Sequence, residues 1–119
     1  MVLVDTSVWV EHLRRGEPRL AVLLGSAEAL CHPFIVGELA CGNLRNRAEI
    51  LGLLQALPTV DRASDEEVLE FIERNGLHGG GLGLVDMHLL ASCVLSRRQI
   101  WTLDTSLARG AAALGLQYP

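Results

Sequence analysis

Lysine is absent from this 119-residue chain, and all ten basic residues are arginine. A Walker A loop sets its lysine on nucleotide phosphates, pyridoxal enzymes form a Schiff base on one, and receiver domains and haloacid-type phosphatases rely on one beside an aspartate. None of these chemistries is open in its usual form. Aromatic residues make up 4% of the chain, so platforms for stacking single-stranded bases are scarce. Cys31, Cys41 and Cys93 form no C-x-x-C pair and leave an odd thiol in any disulfide scheme. They read as small buried hydrophobes in a reducing compartment. No apolar run approaches a membrane span, and no basic start with a long apolar stretch marks a secretory signal. A soluble, cytoplasmic protein is expected.

Half of the residues are apolar, enough for one domain over residues 1–119 to bury a core without disulfides or a structural metal. Net charge is −4, which argues against a broad basic surface for nucleic acid. Setting four carboxylates aside as metal ligands leaves ten acidic residues against ten basic. A small metal-centred binding face therefore remains compatible with the charge.

Val2 to Val4 is a continuous apolar run, as expected of a strand buried on both faces of a parallel sheet. Thr6 to Arg15 turns helical, with Val8, Trp9 and Leu13 on one side, until Gly16 stops it. Pro18 suits the first turn of a second helix carrying Leu20, Leu23 and Leu24. Ala29 to His32 reads as a strand ended by Pro33, Phe34 to Arg45 as a mostly apolar helix, Arg47 to Leu57 as another, and Thr59 to Asp61 as a short strand. Ser64-Asp65-Glu66-Glu67 is a capping box opening a helix with Val68, Leu69 and Ile72 inward and Glu70 four residues before Arg74. A glycine-rich loop from Gly76 to Gly83 feeds a helix from Val85 to Leu95. Gln99 to Leu103 is the next strand, Thr105 to Leu114 the last helix and Leu116 to Tyr118 an edge strand. Strands alternating with helices indicate an α/β fold on a mainly parallel sheet.

Two of these strands end on the same tripeptide, Asp5-Thr6-Ser7 and Asp104-Thr105-Ser106. Ligands of open parallel sheets bind at the carboxyl ends of the strands, so both aspartates occupy the functional edge. Each also precedes a helix, where aspartate is a preferred N-cap, and the two roles are compatible. Glu38 and Asp86 stand in apolar helices with no cation three or four residues away. Burying such a carboxylate as an ion is costly, so either it points outward or a cation meets it in space. An N-cap role competes for Asp86, and simple exposure for Glu38. Four carboxylates drawn together would repel one another unless a divalent cation screened them, and all-oxygen ligands favour Mg²⁺ or Mn²⁺ over zinc. Phosphodiester hydrolysis by metal-activated water suits such a cluster.

V-L-V-D-T-S-V-W, H-P-F-I-V-G-E-L-A-C-G-N-L-R, G-L-G-L-V-D-M-H-L-L-A-S and I-W-T-L-D-T-S-L, in this order over nearly the whole chain, closely resemble PIN-domain ribonucleases, specifically VapC toxins. The resemblance implies a three-layer α/β/α sandwich, a Mg²⁺- or Mn²⁺-dependent endoribonuclease acting on RNA, a VapB-like antitoxin that blocks it, and a homodimer. By position, Asp5, Glu38, Asp86 and Asp104 match the family's catalytic and metal-binding acids, and the hydroxyls of Thr6 or Ser7 match a supporting polar position. Many relatives carry a further acid shortly after the fourth, where this chain has Thr105, Ser106 and Leu107. A second metal is then held weakly, or only with RNA.

His78-Gly79-Gly80-Gly81 imitates a lipase oxyanion loop, but no G-x-S-x-G elbow follows. The four histidines show no metal-ligand spacing, and His12 is expected to pack beside Trp9. Arg14, Arg15, Arg45, Arg47, Arg97 and Arg98 are candidate phosphate contacts, and Leu20 and Leu24 are open to either a partner groove or the core. The rival from a different class is a non-catalytic PIN-like module that binds protein or RNA. A phosphatase with Asp5 as nucleophile would want an acid at Ser7 and a lysine.

Overall fold

The apolar run at Val2 forms β1 (Val2–Val4), buried along its whole length. In the computed structural model, which describes residues 1–119, β1 lies between β2 (Ala29–Leu30) and β3 (Gln99–Trp101), all parallel. Leu3 faces Leu30 on one side and Ile100 on the other, and Val4 pairs with Trp101. A strand with parallel neighbours on both sides and helices over both faces has no solvated face, which is why β1 reads as unbroken Val-Leu-Val. Seven helices complete an α/β/α sandwich: α1 (Thr6–Arg15), α2 (Pro18–Gly25), α3 (Pro33–Ala40), α4 (Arg47–Ala56), α5 (Asp65–Asn75), α6 (Leu84–Ser96) and α7 (Thr105–Ala113).

The sequence signals for helix ends act as expected. Gly16 closes α1 with φ of 79°, its N–H donating to the His12 carbonyl, and Pro18 opens α2. At α5 the Ser64 hydroxyl accepts from the Glu67 N–H while the Glu67 carboxylate accepts from the Ser64 N–H. Farther on, α3 stops at Ala40 rather than running to Arg45. The Arg47 guanidinium folds back onto the carbonyls of Ala40 and Gly42, satisfying acceptors that the end of a helix leaves unpaired. That commits Arg47 to a structural contact. The expected strands at Thr59 and Leu116 shrink to single bridges, Cys31 to Thr59 and Ile100 to Gln117.

Leu3, Ile35, Leu89, Leu90, Ile100 and Leu107 are fully buried in one core, each worth about 1.5–3 kcal/mol against exposure. Leu20 belongs to that core, which removes it from any partner groove. Leu69 is 64% exposed, because α5 turns Val68 and Phe71 to the core and packs against α6. Leu13 is exposed as well, and Cys41 is an exposed thiol while Cys31 and Cys93 are buried. No helix is long and apolar enough to cross a membrane.

Candidate active site

Adjacent parallel strands in register deliver their next residues to one edge, and β1 and β3 deliver Asp5 and the segment from Thr102 to Asp104. The Asp5 N–H donates to the Trp101 carbonyl at 2.9 Å, which locks the first aspartate to the second strand. Asp5 is only 6% exposed. Its Oδ2 accepts from the Ser7 hydroxyl at 2.8 Å, the Thr102 hydroxyl at 2.7 Å and, more distantly, the Ser7 N–H at 3.4 Å. Each hydroxyl owns one proton and donates it to Asp5. In turn Ser7 Oγ accepts from the Leu103 N–H at 2.9 Å and Thr102 Oγ1 from the Asp104 N–H at 3.0 Å. These bonds to the carboxylate all fall on Oδ2, so Oδ1 has no intramolecular partner.

The other three acids approach from helices. Asp104, exposed, caps α7 by accepting from the Leu107 N–H at 3.0 Å. Asp86 sits in the first turn of α6, half-buried, and accepts from the Gly83 N–H at 3.2 Å. Its pKa is raised, chiefly by burial and further by the charges of Asp104 and Asp5, against the lowering effect of the Gly83 N–H. Glu38, exposed in the last turn of α3, accepts from the Thr6 hydroxyl at 2.7 Å, which ties it to the residue beside Asp5. Glu38 therefore has a hydroxyl where a cation was one option.

No three histidine, cysteine, aspartate or glutamate side chains form a ready-made metal cage. Like charges favour separation, and Asp86, Asp104 and Glu38 each hold a local donor instead. The donor set is nevertheless oxygen only, the charges of Asp104 and Asp5 act on Asp86, and Asp5 Oδ1 is free. The chemistry of such a set suits a hard divalent cation.

The sequence profile of the PIN domain family matches residues 2–113. Ribonuclease VapC32 of Mycobacterium tuberculosis is 44% identical over 117 residues, covering 98% of this chain and 94% of that protein, in both strain CDC 1551 / Oshkosh and strain ATCC 25618 / H37Rv. The chain is a VapC-type member of the PIN domain family.

In this PIN domain one residue that sequence reasoning overlooked is Thr102, whose hydroxyl bridges Asp5 and the backbone of Asp104. Its signal was a hydroxyl at the end of a strand, two residues before a candidate acid. His32 and His12 hold structure. His32 Nδ1 accepts from the Phe34 N–H at 3.0 Å, capping α3, and burial first, then the charges of Arg62 and His88, lower its pKa to about 4. His12 packs edge-on against Trp9 as expected.

Proposed function

We propose that this PIN domain is an endoribonuclease toxin that cuts RNA with the help of Mg²⁺ or Mn²⁺ and is neutralised by a VapB-like antitoxin. The observation that carries the reading is geometric: adjacent strand ends bring Asp5 and Asp104 to one sheet edge, and Asp86 lies near enough that their charges add to the burial that raises its pKa. A half-buried carboxylate beside two others at a sheet's ligand edge is costly, and screening by a divalent cation removes the cost. The ribonuclease named among its relatives supports the substrate class.

Asp5, Glu38, Asp86 and Asp104 would hold the cation. Bound there, it supplies Lewis acidity that makes water a nucleophile at neutral pH and stabilises the charge growing on the leaving oxygen. The chain supplies orientation. Ser7 and Thr102 clamp Asp5 by Oδ2 and leave Oδ1 for the ligand side, while Thr6 keeps Glu38 turned toward the same edge. In-line attack of water on phosphorus would leave a 5′-phosphate and a 3′-hydroxyl. A homodimer is part of the same reading, to be checked by light scattering of the purified protein.

The test is cleavage of a mixed tRNA and mRNA pool in Mg²⁺ or Mn²⁺, in chelator, and with Asp86→Asn protein. Cleavage lost in chelator and in Asp86→Asn supports the reading, and activity surviving both overturns it. RNA binding without cleavage favours the non-catalytic module. A second readout needs no activity. A carboxyl with a raised folded pKa destabilises the fold above that pKa, and the penalty is relieved as pH falls through it. Metal-free Asp86→Asn protein, whose carboxamide still accepts from Gly83, is therefore expected to melt above the parent at neutral pH, the gain fading in acid.

A further inference from the structure

A cleft of about 490 Å³ opens beside Asp104, between the loop after β3, the first turns of α7 and the C-terminal segment. That volume is in the range that accepts one small-molecule-sized group. Its lining includes Leu103, Thr105, Ala108, Arg109 and Gln117 with Asp104 itself. Beyond Thr102 and Asp104, whose side chains are bonded within the site, the polar side chains of the cleft are uncommitted. Arg109 takes part in none of the molecule's ion pairs, and neither the Thr105 hydroxyl nor the Gln117 carboxamide has an intramolecular hydrogen bond, Gln117 offering only its backbone carbonyl to Gln99. Five other arginines are occupied, while Arg14, Arg45, Arg97 and Arg98 are as unpaired as Arg109 but do not line this cleft. Arg15 pairs with Glu11, Arg74 with Glu70, Arg47 with helix-end carbonyls, and Arg19 and Arg62 lie over aromatic rings.

Leu103 adds an apolar element. It is 54% exposed immediately before Asp104, held in place by its own N–H on Ser7 Oγ. In a chain with few aromatics, an exposed leucine on an anchored backbone offers a base or ribose an apolar surface to bury.

We propose that this cleft is the subsite for the nucleotide next to the scissile phosphate, with Arg109 on its phosphate, Leu103 under its base or sugar, and Gln117 and Thr105 on polar edges. The inference rests on the endoribonuclease reading and deepens it. Arg109 is five residues after Asp104 on the same helix, so a phosphate it holds is one step along the strand from the acids. It also answers the charge problem locally, since a single guanidinium beside the acids gives an acidic protein a place to engage RNA.

The experiment measures binding of a labelled single-stranded RNA to Asp86→Asn protein in Mg²⁺ across a salt series, with and without Arg109→Ala, and KM and kcat of the same Arg109 change in the cleaving protein. Loss of one single-strand phosphate contact is expected to weaken binding roughly five- to tenfold and to reduce the slope of log Kd against log salt by about 0.7. KM should rise by the same factor with little change in kcat, and Arg109→Lys should keep the slope. Gln117→Ala should weaken binding without touching the slope. Thermal unfolding of each variant guards against misfolding, and the exposure of Arg109 favours an intact fold. An unchanged Kd and slope in Arg109→Ala, with cleavage still dependent on Asp86, overturns the subsite and leaves the nuclease standing. A parent protein that neither binds nor cuts RNA overturns both.

Discussion

At the first Asp-Thr-Ser turn the aspartate is buried and a single carboxylate oxygen accepts two hydroxyls and an N–H. At the second, an aspartate of the same local sequence is exposed and holds one backbone N–H of its own helix. Position in the sheet separates them. β1 is the central strand, so the residue after it is walled by neighbours on both sides, and β3 lies at the edge. The two turns are also unequal partners, since Thr102 and Leu103, from the approach to the second, brace Asp5 and Ser7 of the first. Identical tripeptides thus produce one buried, clamped acid and one exposed acid. A site that must grip a cation and still adjust to substrate has a use for each.

The largest expected effect breaks the clamp. Asp5→Ala leaves the Ser7 and Thr102 hydroxyls without their acceptor in a part-buried setting and should cost about 2–4 kcal/mol in chemical denaturation. Asp104→Ala removes one exposed cap and should cost about 1 kcal/mol. Equal losses would contradict the contrast. A third cap extends the comparison, because His32 caps α3 with a neutral imidazole in the core. Its pKa is lowered from 6.5 to about 4, so the unfolded chain binds the proton first. Stability from this residue is complete above pH 6.5 and falls as pH drops toward 4, by up to about 3 kcal/mol. Acid titration of the melting temperature should show that fall, and His32→Asn, which can cap without titrating, should flatten it. Between the two aspartate changes falls Thr102→Val, which removes the donor to Asp5 and the acceptor for the Asp104 N–H. A loss of about 1–2 kcal/mol is expected, with a larger relative loss of RNA cleavage than of stability if Thr102 orients both turns.

Much of this was legible along the chain. Gly16, Pro18 and Ser64 with Glu67 signal helix ends through local chemistry, which needs no knowledge of neighbours. Asp5 and Asp104 were legible as strand-end acids because the strand, the turn and the following helix are contiguous. Leu69 was expected inward and is exposed, and Leu20 was left open between groove and core, since periodicity names a face and only packing says which residues of it find a partner. The end of α3 was hidden for a similar reason. It depends on Arg47, seven residues past the last helical position, folding back onto carbonyls.

Sequence alone determined the fold class, the order of the helices and of the three main strands, and the place of Asp5 and Asp104 at strand ends, because apolar period, capping residues and turn glycines act within a few residues of each other. Tertiary structure alone decided that the four acids hold local donors rather than a finished metal cage, that Thr102 serves both Asp-Thr-Ser turns, and that Arg109 opens beside Asp104. Those facts depend on contacts between residues nearly a hundred positions apart or on which side of a helix meets solvent, and such distances are fixed only when the sheet is assembled.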